Sequence, residues 1–207
     1  MEKKFELTDN FIINALGVKL FQIKCTRKIK YADVGDLGGY VEKEANLSHD
    51  GDAWVYGNAK VYGNAEVYGN AKVSGNAWVY GNAWVYGNAW VSGNAEVSGD
   101  AWVSGNAKVS GNAEVYGNAE VSGNAKVSGN AEVENDNNHC GFDCFGSANR
   151  HTHAYLTKDG TVEITCGCFR GSIEQFEEQV ERTHGDSKYG REYKAIIEVI
   201  KIKFGLQ

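Results

Sequence analysis

Few residues in this chain have the types and spacing for chemistry. Cys140-x3-Cys144 and Cys166-x-Cys168, with His139, His151 and His153 nearby, carry the thiolate and imidazole groups that bind zinc. Neither cysteine spacing is the C-x2-C of a well-formed zinc site, so free cytoplasmic thiols are the competing reading and no cofactor is expected. Asn149, Arg150, Lys158, Arg170 and His184, with Asp186, would line an anion or nucleotide-like pocket if the C-terminal hairpin meets the first helix; surface charge is the alternative. A cysteine nucleophile paired with His184 is conceivable, but nothing in the sequence favours it over packing. His49 is the one histidine beside the regular pattern that follows, and a turn is its plainer role.

That pattern is what must position everything else. From Gly51 to Glu134 the chain repeats one six-residue phrase, Gly-Asn-Ala-x-Val-(Tyr/Ser), and the 84 residues make fourteen copies. In Ala-x-Val, alanine and valine point to one side and the variable residue to the other. Gly-Asn tolerates positive φ and turns the chain. This is the recipe for a left-handed parallel β-helix in which three phrases make one triangular coil. Fourteen phrases give between four and five coils, and at ~4.8 Å each the prism is about 22 Å long. Both ends present unpaired backbone and need caps.

Stacking every third phrase sorts the outward residues into faces. The first carries Trp54, Lys72, Trp90, Lys108 and Lys126. The second carries Lys60, Trp78, Glu96, Glu114 and Glu132, and the third carries Glu66, Trp84, Trp102 and Glu120. Tyr62 should stack with Tyr80, and Tyr68 with Tyr86. All five tryptophans are expected to face outward. A row such as Trp84, Trp102, Tyr68 and Tyr86 is too apolar to leave in water and is expected to bury against another subunit or a partner. Aromatic ladders and Trp–Lys contacts on a monomer are the simpler alternative.

Residues 1–50 read as a small β cap. Val18–Cys25 alternates apolar and polar side chains, and Phe11–Ile13 is a shorter strand before the Leu16-Gly17 turn. Lys24, Arg27, Lys28 and Lys30 make a basic cluster, read as a solvated strand edge. Gly35–Tyr40 reads as turns leading into the solenoid, and Ala45–Ser48 as a first, imperfect repeat. Residues 135–207 differ in kind. His151–Leu156 and Thr161–Cys166 flank a Lys158-Asp159-Gly160 turn. Ser172 caps a helix with Gln175 in the capping-box position, and Gly185 stops it. A last helix runs from about Ser187 to Phe204, its apolar face formed by Tyr189, Tyr193, Ile196, Ile197, Ile200 and Phe204. The expected fold is therefore mainly β: cap (1–50), β-helix (51–134) and a ββαα α+β domain (135–207).

The formal charge of −6 argues against general nucleic-acid binding. Met1–Glu6 is not followed by a long apolar run, so no leader is expected, and no stretch is long and apolar enough for a membrane helix. The five cysteines without an export signal point to the cytoplasm.

The repeat resembles that of hexapeptide-repeat, trimeric LpxA-like proteins, since valine, two turn residues and alanine fall at that family's spacing. Gly35-Asp36-Leu37-Gly38-Gly39-Tyr40-Val41-Glu42-Lys43-Glu44 resembles the lead-in of bacterial and phage members. Gly146-Ser147, Asn149-Arg150, Lys158-Asp159-Gly160, Cys166-Gly167-Cys168-Phe169 and His184-Gly185-Asp186 resemble a tail on phage and prophage members. The resemblance implies the fold and a phage setting, but no activity. Many hexapeptide β-helices are acyltransferases with a histidine base on an inserted loop, and here the phrases contain neither histidine nor insertion. The expected function is a non-catalytic binding protein, homo-oligomeric as a trimer or dimer. It would meet a host protein or a small anionic ligand. An acyltransferase and a polymer-forming structural protein are the alternatives.

Overall fold

A computed structural model describes residues 3–206. Met1 and Glu2, which open the stretch read for a leader, and Gln207 lie outside them. The chain begins with an antiparallel pair, β1 (Phe5–Ile13) and β2 (Lys19–Cys25), followed by β3 (Leu37–Val41). Fourteen two-residue strands follow, each the x-Val pair of one phrase, from β4 (Trp54–Val55) to β17 (Glu132–Val133). They stack into a parallel β-solenoid of about five turns.

Partners are always three phrases, eighteen residues, apart: Trp54 pairs with Lys72, Lys60 with Trp78, Glu66 with Trp84. The three outward rows read from the sequence are therefore the rows of three separate parallel sheets. Inside, every alanine and valine of the phrases is buried. The corners turn because the phrase glycines, from Gly51 to Gly129, all hold φ between 57° and 73°. That is left-handed backbone, open to glycine at no steric cost. The asparagines do not share it. Their side chains instead form amide ladders up the corners, as in Asn70 to Asn88 (3.1 Å), Asn88 to Asn106 (3.1 Å) and Asn106 to Asn124 (3.2 Å).

The ladder of coils starts before the strict repeat. Within the lead-in read as turns, β3 joins the solenoid, with Tyr40 paired to Lys60 and Val41 to Val61. Leu47, in the imperfect repeat, bridges to Val67. Buried Asn46 donates to the Gly63 and Ala65 carbonyls (3.1 and 2.9 Å) and so stands in for a strand that is not there. Gly38 and Gly39 permit this junction, since a Cβ on either would lie 2.7 and 2.6 Å from the Val55 and Ala59 carbonyl oxygens.

Beyond the last coil the C-terminal sheet is a four-stranded antiparallel meander: β18 (His139–Phe145), β19 (Arg150–Leu156), β20 (Val162–Cys166) and β21 (Phe169–Ser172). The expected hairpin is its central pair. The outer strands escape the sequence because β18 is largely exposed and offers only the short Cys140, Phe142, Cys144 alternation, and β21 is four residues long. Helix α1 (Ile173–His184) opens on the expected capping box between Ser172 and Gln175 and stops at Gly185. Helix α2 (Lys188–Phe204) packs Tyr193, Ile196, Ile197 and Ile200 against α1 and the sheet. Tyr189, assigned to that face, is exposed. No helix among the described residues is long and apolar enough to cross a membrane.

Candidate functional site

Coil stacking fixes the surface aromatics. Side chains eighteen residues apart lie one strand spacing apart, so flat rings must stack. Trp84 and Trp102 stack nearly parallel (6°) with centroids 5.2 Å apart, and Tyr68 and Tyr86 are parallel at 4.9 Å. Tyr68 meets Trp84 edge-on at 6.3 Å, so the four rings make one block on the third face. Trp84 and Trp102 remain 36% and 38% exposed, with exposed Glu66 and Glu120 at the ends of their row. On the first face Lys72 and Lys108 hold their ammonium groups 5.2 and 5.7 Å from the ring of Trp90, which is 39% exposed.

Trp54 departs from the expectation. It is fully buried, in one cluster with Phe5, Ile23, Cys25, Ile29 and Ala32. The segment after β2 folds over the start of the first face. Tyr56 donates to the Tyr31 carbonyl (3.1 Å), Asp52 accepts from the Lys30 N–H (3.0 Å), and the Lys72 ammonium sits 4.4 Å from the Tyr31 ring. Trp54 is thus a cap anchor, and four tryptophans remain outside.

The second face satisfies itself. Tyr62 and Tyr80 stack at 4.9 Å, Tyr80 bonds Glu96, Tyr116 donates to Glu132 (2.9 Å), and Glu114 pairs with Lys158. The Glu132 contact, with burial second, pushes the Tyr116 phenol up to about 12. Its variable residues are at most half-exposed, whereas the first and third faces keep open side chains.

The five residues of the expected anion pocket do not converge. Lys158 is drawn to the solenoid because Thr157 bridges to Ala131 and the Lys158 N–H donates to Asn130 (2.9 Å). Arg170 forks onto Glu163 at 2.6 and 3.1 Å. Asn149 occupies a turn at φ 47°. Arg150 and His184 do share a cavity of about 110 Å³ with Cys166, Cys168 and Tyr193.

The cysteines are likewise dispersed. Cys166 is buried and accepts from Thr152 (3.3 Å), Cys140 is half-buried with its thiol pushed up to about 11 by burial, and Cys144 and Cys168 are exposed. Among the described residues no three His, Cys, Asp or Glu side chains are grouped to hold a metal ion.

The histidines serve the joint between solenoid and C-terminal domain. His153 Nδ1–H donates to the Lys126 carbonyl (3.1 Å), which leaves Nε2 to accept from His139 Nδ1 (3.0 Å). His151 lies against Asp143 at 2.8 Å. Burial, with His139 next, pushes His153 down to about 3, so it is neutral near pH 7. Tyr155 completes the joint by entering the solenoid's own core cluster and meeting Ser128 at 3.1 Å. His49 is a packing residue too. Its ring stacks on Phe5 at 4.4 Å and its Nδ1 accepts the Lys4 N–H at 3.1 Å.

Sequence reasoning missed the amide ladders and the histidine joint. The ladder signal is present, as one residue type recurring every eighteen positions. The joint has no local signal, since Lys126 and His153 meet through folding alone.

The fold and these surfaces define the class: a β-solenoid repeat protein with capped ends. A family model described as the YdcK beta solenoid repeat matches residues 65–81, 71–87 and 77–93, all within the repeat. No curated protein matches the chain.

Proposed function

We propose that the protein is a non-catalytic interaction protein that assembles with itself through its solenoid. The observation that carries this is the coil-by-coil correspondence of its two open faces. The third face reads Glu66, Trp84, Trp102, Glu120, and the first reads Lys72, Trp90, Lys108, Lys126. In parallel, in-register copies the four levels would set carboxylate to ammonium, indole to indole, indole to ammonium, and carboxylate to ammonium. Like charges never meet, and the apolar levels lie at the centre, the arrangement of an interface with a polar rim. A contact between two different faces is heterologous. The trimer is the smallest ring that it closes, and an unclosed version would run on as a polymer.

The resemblance of the flanks to phage proteins supports a phage setting, with the C-terminal domain turned toward a host protein in the cytoplasm. The free thiols are compatible with a reducing compartment. For acyl transfer, the histidine that precedes the repeat, His49, stacks on Phe5, which favours packing over catalysis.

Sedimentation equilibrium at several concentrations tests the assembly. A homo-oligomer of three or more copies is expected, and Trp102→Lys, which sets an ammonium against Lys108, should weaken it by about tenfold or more in each contact. A wild-type chain that stays monomeric throughout would remove the proposal.

A further inference from the structure

A groove lies on the C-terminal domain, apart from the solenoid faces. It runs between α1 and α2 and encloses about 630 Å³. Glu177, Glu178 and Glu181 of α1 form one wall, and Lys194, Ala195, Ile197 and Glu198 of α2 form the other, so four carboxylates face one ammonium group. Two of these carboxylates are answered within the chain, Glu181 by Lys194 (2.8 Å) and Glu177 by Lys201 (2.6 Å). Glu178 has no ion pair among the described residues, and Glu198 has one loose contact to Lys201 at 3.6 Å. The groove is therefore net acidic.

A second feature adjoins it. One face of α2 is spent on the core, through Tyr193, Ile196, Ile197 and Ile200. The opposite face carries Ala195, Val199 and Ile202, spaced i, i+4, i+7, on one helical stripe. Val199 is 48% exposed and Ile202 79%, and Leu206, just past the helix, is 43% exposed. Apolar side chains in register along a helix, with a groove walled by carboxylates on one side, are the complement of a helix that carries apolar residues on one face and cations on the flank that enters the groove. Phosphate-bearing partners are disfavoured, because the same carboxylates repel them.

We propose that the α1–α2 groove, with the bare stripe of α2, is a docking site for a basic amphipathic helix of another protein. Apolar residues of that helix cover Val199 and Ile202, and its lysines or arginines answer Glu178 and Glu198. The solenoid faces are free to assemble independently of this contact.

The probe is a fluorescein-labelled, leucine–lysine amphipathic helical peptide, titrated with the full chain by anisotropy. A glutamate–leucine peptide of the same pattern is the control. Saturable binding of the basic peptide alone is expected. Glu178→Lys should weaken it by about tenfold, and Ile202→Ser by about fivefold or more. Asp9→Lys, a charge change of the same sign at an exposed position of the N-terminal hairpin, should leave it unchanged. Both groove positions are exposed, and thermal unfolding confirms that the variants fold. The proposal is overturned if the basic peptide does not saturate, or if all three variants bind alike. It is also overturned if Ile202→Ser no longer forms the oligomer that the wild type forms, since the stripe would then be covered by a second copy. Failure of self-association through Trp102 leaves this binding untouched, so the two readings fail separately.

Discussion

Gly99 and Gly123 share a backbone conformation, φ 66° and 65°, and differ in what lies beyond them. A Cβ on Gly99 would come within 2.9 Å of both the nitrogen and the oxygen of Gly117 in the next coil, whereas a Cβ on Gly123 would meet nothing within 4 Å. The pair separates two reasons for glycine. Alanine at either site incurs the cost of left-handed backbone, about 1–2 kcal/mol. Gly99→Ala must in addition push two coils apart, and a total of about 3 kcal/mol or more is expected. Urea unfolding followed by tryptophan fluorescence should rank Gly99→Ala well below Gly123→Ala. Equal losses would mean that conformation, not coil contact, is what these glycines supply. The sequence shows that glycine is required at each corner. It does not show that the requirement is double in the interior and single at the end, because that depends on what stacks beyond.

At the scale of elements, the amide ladders explain the exceptions in the repeat. Within an unbroken row each asparagine donates to the next coil's asparagine, so a residue without an amide stops the ladder where it stands. Asp100 interrupts the row that runs from Asn64 through Asn82: it accepts from Asn82 at 2.9 Å and has no side-chain N–H to pass on to Asn118 in the next coil. Lys43 supplies a donor at the other end, 3.4 Å from Asn64. Asp52 cannot donate to Asn70, and it accepts from the Lys30 backbone instead, which pins the cap. The joint to the C-terminal sheet has its own chemical signature. His153 faces His139 and His151, with Asp136 and Asp143 at their outer sides and Lys203 near His139. Its folded pKa, about 3, lies below the ordinary 6.5, and that of His139 is lowered as well, chiefly by burial. Between these values the unfolded chain binds a proton that the folded chain refuses. The joint is therefore fully stable above about pH 6.5 and loses stability as pH falls toward 3. His153→Asn keeps an N–H for the Lys126 carbonyl and removes the titration. Its urea midpoint should fall less between pH 7 and 4.5 than that of the wild type, by an amount equivalent to about 2 kcal/mol or more. Parallel pH profiles would show that His153 does not set the joint's acid limit.

The whole molecule divides into what a repeating phrase dictates and what chain-distant contacts decide. Coil number, interior and the composition of the three faces were legible, because alanine, valine and glycine each answer a constraint imposed every six residues. Which faces stay open was not. Trp54 is covered by the segment after β2, and Glu114 on the second face is taken by Lys158 of the C-terminal domain. The expected anion pocket dissolved because Lys158 pairs with Glu114 across the joint and Arg170 with Glu163 on the neighbouring strand. What is left open, the first and third faces, is what the assembly proposal uses, and its register makes a strict demand. Glu66 of one copy must meet Lys72 of the next. Glu66→Lys sets two ammonium groups together and Lys72→Glu two carboxylates, and each should weaken association by about tenfold or more. A chain carrying both changes restores opposite charges at the same level, so its association should return to within about threefold of the wild type. Lys72 also lies over Tyr31, so unfolding of each variant is compared first, to separate loss of the cap from loss of the contact. An isologous contact, third face against third face, never brings Glu66 to Lys72 and predicts no rescue. Recovery in the double variant therefore distinguishes head-to-tail assembly from symmetric pairing, and two losses that simply add would exclude the register.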